Sequence, residues 1–296
     1  MPNRKLILVT GAHRSGSTWV GQILSLSKNI RYIHEPFNID EPRIHPLNYW
    51  FEYISENDPK DRQKRIYQFI DEMLDYNIPG IIKDFKMIRG PSDLQRFVVD
   101  TFERINKRPL IKDPLAIMSA DWIYKKFKAS VIITMRHPAA FVASVKVKEW
   151  EHPFGHFSKQ KELMKVLTPF ADKILAYQQA EPDLIDQGIL LWNIIYYRVL
   201  QYQQKYPGWI FIRHEDLSRN PVDEFRKIFR KLHLRYHQQI VDKIIESTSA
   251  KEEEKLKRDS IKNITAWKKR LTKREIERIK VGTSGLWEKL YAEQDW

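Results

Sequence analysis

Hydrophobic residues in this chain fall into short unbroken runs separated by longer stretches of helical spacing. Leu6 to Thr10 is apolar and stops at Gly11. A run of that length bounded by glycine predicts a buried strand. Trp19, Val20, Ile23 and Leu24 then recur three and four apart, predicting a helix over Thr18 to Leu26. Further strands are expected at Ile30 to Ile33, Pro109 to Lys112, Val131 to Met135 and Trp209 to Arg213. Helical periodicity covers Lys60 to Tyr76 and Ala139 to Val147. It also covers Gln160 to Tyr206, with a break near Glu181-Pro182. Three helix starts are marked by capping patterns: Ser92-x-x-Gln95, Asn220 before Pro221, and Thr272-x-x-Glu275. Strands alternating with helices predict an α/β fold, a mainly parallel central sheet flanked by helices. No repeat, low-complexity tract or linker divides the chain, so residues 1–296 are expected to form one domain with helical insertions.

Polar residues gather where these strands end: Arg14, Glu35, Asp113 and Arg136. In parallel sheets the carboxyl ends of the strands are where ligands bind. The first cluster, Gly11-Ala-His-Arg-Ser-Gly-Ser-Thr18, has the frame of a P-loop with Ser17 in the place of the lysine. In a nucleoside triphosphatase that lysine reaches the β- and γ-phosphates. A P-loop-containing chain without it, with its cation moved to Arg14, is suited to a smaller anionic group. Backbone N–H groups of Arg14 to Thr18 at a helix start form an anion site, and Ser15, Ser17 and Thr18 add hydroxyl donors. The second cluster is Arg136 and Ser144, one at a strand end and one two turns along the next helix, able to grip one phosphate together.

Arg-Ser-Gly-Ser-Thr-Trp at 14–19 resembles the 5′-phosphosulfate loop of the sulfotransferases, and Arg136-His-Pro-x-x-x-x-x-Ser144 resembles their 3′-phosphate motif. Arg213-His-Glu-Asp-Leu-x-x-Asn-Pro and Trp267-Lys-Lys-x-Leu-Thr are similar to late segments of the same family. The resemblance implies 3′-phosphoadenosine 5′-phosphosulfate (PAPS) as sulfuryl donor, with the desulfated nucleotide PAP as product. It assigns Arg14, Ser15, Gly16, Ser17, Thr18, Trp19, Arg136 and Ser144 to donor binding. Trp19 suits stacking on adenine or a core role. The family closes a basic loop over the nucleotide, which here falls on residues 257–263. Arg258 and Lys262 are the candidates there, and the family's arginine-glycine pattern is absent. One phosphate plus a sulfuryl group needs no bridging Mg²⁺, so no metal is expected.

A hydroxyl acceptor requires a base. Glu35 sits in His34-Glu35-Pro36-Phe37, which looks like the Phe-Glu-Pro element of several sulfotransferase branches, carbohydrate and tyrosyl-protein ones among them. With Arg14 it forms the expected catalytic pair. His34, Asp113, His152 and His156 stay as alternatives or assistants, Lys112 is in reach of a sulfuryl group, and His13 lies in the loop. Asp113 precedes Pro114, which favours an N-cap. Pro153 and Gly155 argue against a helical metal pair at His152 and His156. Tyr49, Trp50, Phe51 and Tyr53 are aromatic enough to line an acceptor pocket or to fill a core.

The net charge of +13 raises the question of a nucleic-acid partner. Acids interleave with the basic residues at Lys251 to Arg258 and Lys268 to Lys280, which describes solvated helix faces rather than a binding stripe. Without cysteine there is no disulfide scaffold, thiolate metal site or cysteine nucleophile. No run approaches the ~18 apolar residues of a membrane span, and the N-terminus lacks a signal-peptide pattern, so a cytoplasmic protein is expected. The sequence thus points to sulfuryl transfer from PAPS to a hydroxyl, with a glycan or glycolipid favoured. The alternative is a P-loop nucleotide kinase or other NTPase.

Overall fold

The computed structural model describes residues 5–41, 45–74, 85–86, 88–180, 182–248 and 260–296. Five strands form one sheet: β1 (Ile7–Gly11), β2 (Ile30–His34), β3 (Arg108–Lys112), β4 (Ser130–Met135) and β5 (Ile210–Arg213). Their order is β2-β3-β1-β4-β5 and every pairing is parallel. All five lie within a residue or so of the stretches expected from the apolar runs. Such runs are the signature of parallel strands covered on both faces.

Alternate residues feed two cores. Leu6, Leu8, Ile111, Val131 and Ile133 pack with the helices Pro138–Lys148 and Leu184–Lys205. Ile7, Val9, Leu110, Ile132 and Ile210 pack with Ser17–Ser25, Pro221–Lys231 and Gln238–Thr248. The chain passes from β1 to one side of the sheet and from β4 to the other. The crevice between their carboxyl ends is therefore the topological switch point, where a ligand is expected.

Helix ends explain where the pattern reading and the structure part. Thr272 and Glu275 form the full capping box. Asn220 precedes Pro221 as expected but makes no side-chain capping bond. The helix read from Ser92 begins at Pro91 with Gly90 as its cap, because proline is preorganised for the first position. The long segment after Gln160 is three helices, Lys161–Val166, Ala171–Gln179 and Leu184–Lys205, with a 3₁₀ turn at Pro169. Asp183 caps the third by accepting from Asp186 N–H at 2.9 Å. Residues 75 and 76 of the expected first insertion helix, and Glu181 at the expected break, lie outside the described residues. Among the described residues no helix is long and apolar enough to cross a membrane.

Candidate active site

A cavity of about 780 Å³ opens at the crevice between β1 and β4. Sheet register builds its floor. Gly11 stands opposite Thr134, with φ +144, and a side chain there would run into the Thr134 backbone. Only glycine permits that approach. The loop that follows turns at Arg14, held at φ +59, and reaches Gly16 at φ +91. A Cβ at Gly16 would lie 2.9 Å from the His214 ring, so the loop needs glycine twice over, for its backbone and for its neighbour.

The two anion motifs meet at this point. Arg14 Nε donates to Ser144 Oγ at 3.1 Å across 130 residues of chain. Arg136 Nη1 donates to the Arg14 carbonyl at 2.6 Å. Arg136 itself is fixed from the sheet's other side: its N–H donates to Tyr196 Oη, and its carbonyl accepts from Trp192 Nε1 at 3.1 Å. Burial lowers the Arg136 pKa to about 10, against a partial offset from Glu215 and with a further push from Arg14. Its Nε has no hydrogen-bond partner and it forms no ion pair among the described residues. A partly desolvated cation whose nearest offset, Glu215, is not in ion-pair contact is costly unless a ligand supplies the anion.

Glu35 faces the same cavity. It follows β2 at φ +37, a left-handed conformation that is strained for a non-glycine residue. Register places it. His34 is opposite Lys112 across β2 and β3, so Glu35 N–H donates to the Lys112 carbonyl at 2.9 Å. The Glu35 Oε1 atom pairs with the Lys112 ammonium, whose side chain is 1% exposed. Asn38 Nδ2 donates to Oε2 at 3.3 Å. Glu149 also lines the cavity in a left-handed conformation, φ +51, as the C-cap of Pro138–Lys148.

The remaining expected residues sort clearly. Ser17, Thr18 and Trp19 line the cavity. Trp19 also donates Nε1 to Ser247 Oγ at 3.2 Å and packs edge-on to Phe225, so it serves the core as well. Ser15 departs from expectation. It is fully buried, its hydroxyl donates to the Ala12 carbonyl at 2.5 Å and lies 2.6 Å from Thr134 Oγ1, and its N–H also goes to Ala12. The tight turn at Arg14 consumes those donors, leaving Ser17 and Thr18 as the loop hydroxyls on the cavity. Ser144 is buried and meets the cavity through Arg14. Lys262 is exposed on Ser260–Thr265, and its neighbour Asn263 lines the cavity instead. Arg258 lies outside the described residues.

Asp113 is the N-cap its proline suggested. It accepts from Leu115 N–H at 2.9 Å and from Phe37 N–H at 2.5 Å. Burial raises its pKa to about 7 despite those two donors. His34 is exposed, 4.0 Å from Glu35. The ring of His156 accepts from Trp50 N–H at 3.0 Å, a structural bond. Of the aromatic stretch, Trp50 lines the cavity, while Phe51 is buried behind it at φ +56. His13, Trp150 and His152 complete that wall: His13 lies 5.0 Å from the Phe51 ring and 6.3 Å from Trp150, and His152 lies 6.2 Å from Trp50. Burial drops the His13 pKa to about 4 and that of His152 well below its usual value, so both rings are neutral near pH 7.

Several cavity residues carry no motif: Asn38, Asp40, Glu149, Trp150, Glu151 and Ser247. His214 and Ser218 had a usable signal, since His214 follows directly on the end of β5 and strand ends are where this fold places ligand groups.

A sequence profile of the sulfotransferase family matches residues 7–238. The chain belongs to the sulfotransferase family. Sulfuryl transfer is therefore the chain's reaction class, and the family generally takes PAPS as donor and a small molecule as acceptor. No curated protein sequence matches the chain. Among solved structures it is similar to the sulfotransferase domain of the curacin biosynthetic pathway, at 15% identity, covering 95% of this chain and 97% of that one, with a TM-score of 0.48. Sulfotransferase STF9 from Mycobacterium avium shows 12% identity over 98% of this chain and 77% of that one, TM-score 0.46. The sulfotransferase domain of the Synechococcus PCC 7002 olefin synthase shows 13% identity over 98% and 96%, TM-score 0.46.

Proposed function

We propose that this sulfotransferase, acting as one domain, moves the sulfuryl group of PAPS to a hydroxyl, with a glycan or glycolipid as acceptor. One observation carries the donor assignment: Arg136, partly desolvated and without a carboxylate partner among the described residues, lies hydrogen-bonded to the Arg14 loop. Two guanidinium groups beside a helix N-terminus suit a ligand with two separate anionic ends. PAPS has that form, with a 3′-phosphate for Arg136 and Ser144 and a phosphosulfate for Arg14 and residues 16–18.

In this reading Glu35 accepts the proton of the attacking hydroxyl, a service worth ~10²–10⁴ in rate. The acceptor oxygen forms its bond to sulfur as the bond from sulfur to the 5′-phosphate oxygen breaks. The electron pair leaves with that oxygen, where Arg14 and the loop N–H groups meet the developing charge. Lys112 and Asn38 hold one Glu35 oxygen each and so orient the base. Isothermal calorimetry tests the donor: PAP is expected to bind at least tenfold more tightly than ATP with Mg²⁺, and the reverse order overturns the assignment. Transfer of labelled sulfate from PAPS to glycans, phenols, lipids and peptides tests the acceptor class.

A further inference from the structure

A second cavity of about 820 Å³ adjoins the first, and Glu151 and His152 line both. Each is by itself the size of a small-molecule site. Pro153, Phe154, Tyr177 and Ala180 supply the apolar part of the second wall, with Phe154 and Tyr177 packed edge to face at 5.5 Å. Its charged groups other than Glu151 are paired. Lys146 pairs with Glu275 at 2.7 Å, and Arg278 pairs with Asp183 at 2.6 Å and with Asp186 at 2.5 Å. At the junction stands His152, 8% exposed, with an Nε2 that has no hydrogen-bond partner among the described residues. Burial keeps this ring uncharged, so it is suited to a neutral hydrogen-bonding group.

We propose that this groove is a second acceptor subsite, and that the acceptor is a linear oligosaccharide reaching from the reaction cavity past His152 into it. The proposal rests on the glycan reading above. A sugar ring offers an apolar face to Tyr177 and the exposed Pro153, backed by the buried Phe154, and hydroxyls to the polar edge. Both cations of the groove, Lys146 and Arg278, are paired and its remaining charge, Glu151, is acidic, so among the described residues it offers an anionic polymer no free cation. A peptide would be favoured by an open strand edge, and helix and loop residues line this groove instead. The rim narrows the class further. Asp40, Glu149 and Glu151 line the reaction cavity, and none forms an ion pair among the described residues. Like charges set against one another disfavour binding, so the chain is neutral or amino-bearing rather than a polyanion.

The test is an array of defined neutral, amino-bearing and acidic glycans, from mono- to hexasaccharides, with serine and tyrosine peptides, developed with ³⁵S-labelled PAPS. The second arm uses Ala180→Trp. Ala180 is exposed and has extended backbone angles that tryptophan accepts, so the ring fills the groove without disturbing the core. With the wild-type protein, kcat/KM is expected to rise at least tenfold from one sugar to three in the neutral or amino-bearing series and to stay low for acidic chains. Ala180→Trp is expected to abolish that rise while leaving transfer to the shortest acceptor, PAP affinity and thermal unfolding unchanged. A kcat/KM independent of chain length, or wild-type activity on long chains in Ala180→Trp, overturns the subsite and leaves the glycan reading standing. Sulfation of peptides alone, or of no glycan by protein that binds PAP, overturns both and leaves the donor assignment. Failure to bind PAP overturns the donor assignment itself.

Discussion

Glu35→Gln separates the chemical role of this residue from its structural one. The substitution keeps the shape and removes the basic oxygen. If Glu35 takes the acceptor proton, kcat/KM falls by ~10²–10⁴, equivalent to about 3–5 kcal/mol of lost transition-state stabilisation. Stability falls too, for a different reason. The Lys112 side chain is 1% exposed and that of Glu35 20%. Removing one partner of a fully buried pair costs ~3–5 kcal/mol. Glutamine can still accept from Lys112 through its amide oxygen, but its NH₂ then meets the Asn38 donor that Oε2 had accepted. A loss of about 1–3 kcal/mol is therefore expected, read from urea unfolding. Lys112→Met fills the same space without charge, and Glu35→Gln/Lys112→Met closes a double-mutant cycle with a coupling of the same size. The double variant is expected to recover stability relative to Glu35→Gln and to remain inactive, with PAP affinity within about twofold of wild type throughout. Glu35→Gln with kcat/KM within threefold of wild type refutes the base assignment. Recovery of activity in the stable double variant refutes it as well, because the loss would then have come from misplaced structure.

Three further outcomes follow from the same geometry. Arg136→Ala is expected to weaken PAP binding by ~10–100-fold while changing affinity for AMP, which lacks the 3′-phosphate, by less than threefold; calorimetry with the two nucleotides checks this. Gly16→Ala combines a left-handed backbone with a Cβ 2.9 Å from His214, so a loss of ~2–4 kcal/mol in unfolding free energy and a matching drop in PAP affinity are expected. Acid should destabilise the protein between pH 6.5 and about 4. Burial lowers His13 to about 4, His137 to about 3 and His152 well below its usual range, so the unfolded chain binds more protons there and stability falls as pH falls. Asp113, raised to about 7, opposes this, because the folded state holds its proton up to that pH and stability from this group declines as pH rises from about 4 to 7. Burial also raises Glu215, which acts with Asp113, and lowers His156, which acts with the other histidines. The four histidines outnumber the two carboxyls, and His137→Phe, which keeps the packing on Trp267 and Trp296, is expected to flatten the acid slope by up to ~1.4 kcal/mol per pH unit in denaturant titrations.

The strands were legible because each is buried on both faces and so reads as an unbroken apolar run. The loop from Gly11 to Thr18 and the pair Arg136 and Ser144 were legible because anion binding restricts residue type at fixed local spacing. Helix beginnings were less so, since Gly90 with Pro91 fills a role that the pattern gave to Ser92. Ser15 shows the limit inside a motif: its hydroxyl fits an anion site by type, yet the turn directs it to Ala12 and Thr134. The wall of Glu149, Trp150 and Glu151 had no signal at all, because the left-handed cap at Glu149 that redirects the chain leaves no mark beyond one glutamate after a helix.

By itself, then, the sequence determined the layer architecture, the anion loop and the identity of the groups at the strand ends, all set by composition and spacing within a few residues. Which of those groups meet was decided by tertiary structure alone. The β1–β4 pairing brings the loop of Arg14 to the helix of Ser144, and the β2–β3 register sets Glu35 on Lys112. Parallel strands are joined through long crossovers, so contacts across 77 or 130 residues depend on register, which no local spacing encodes.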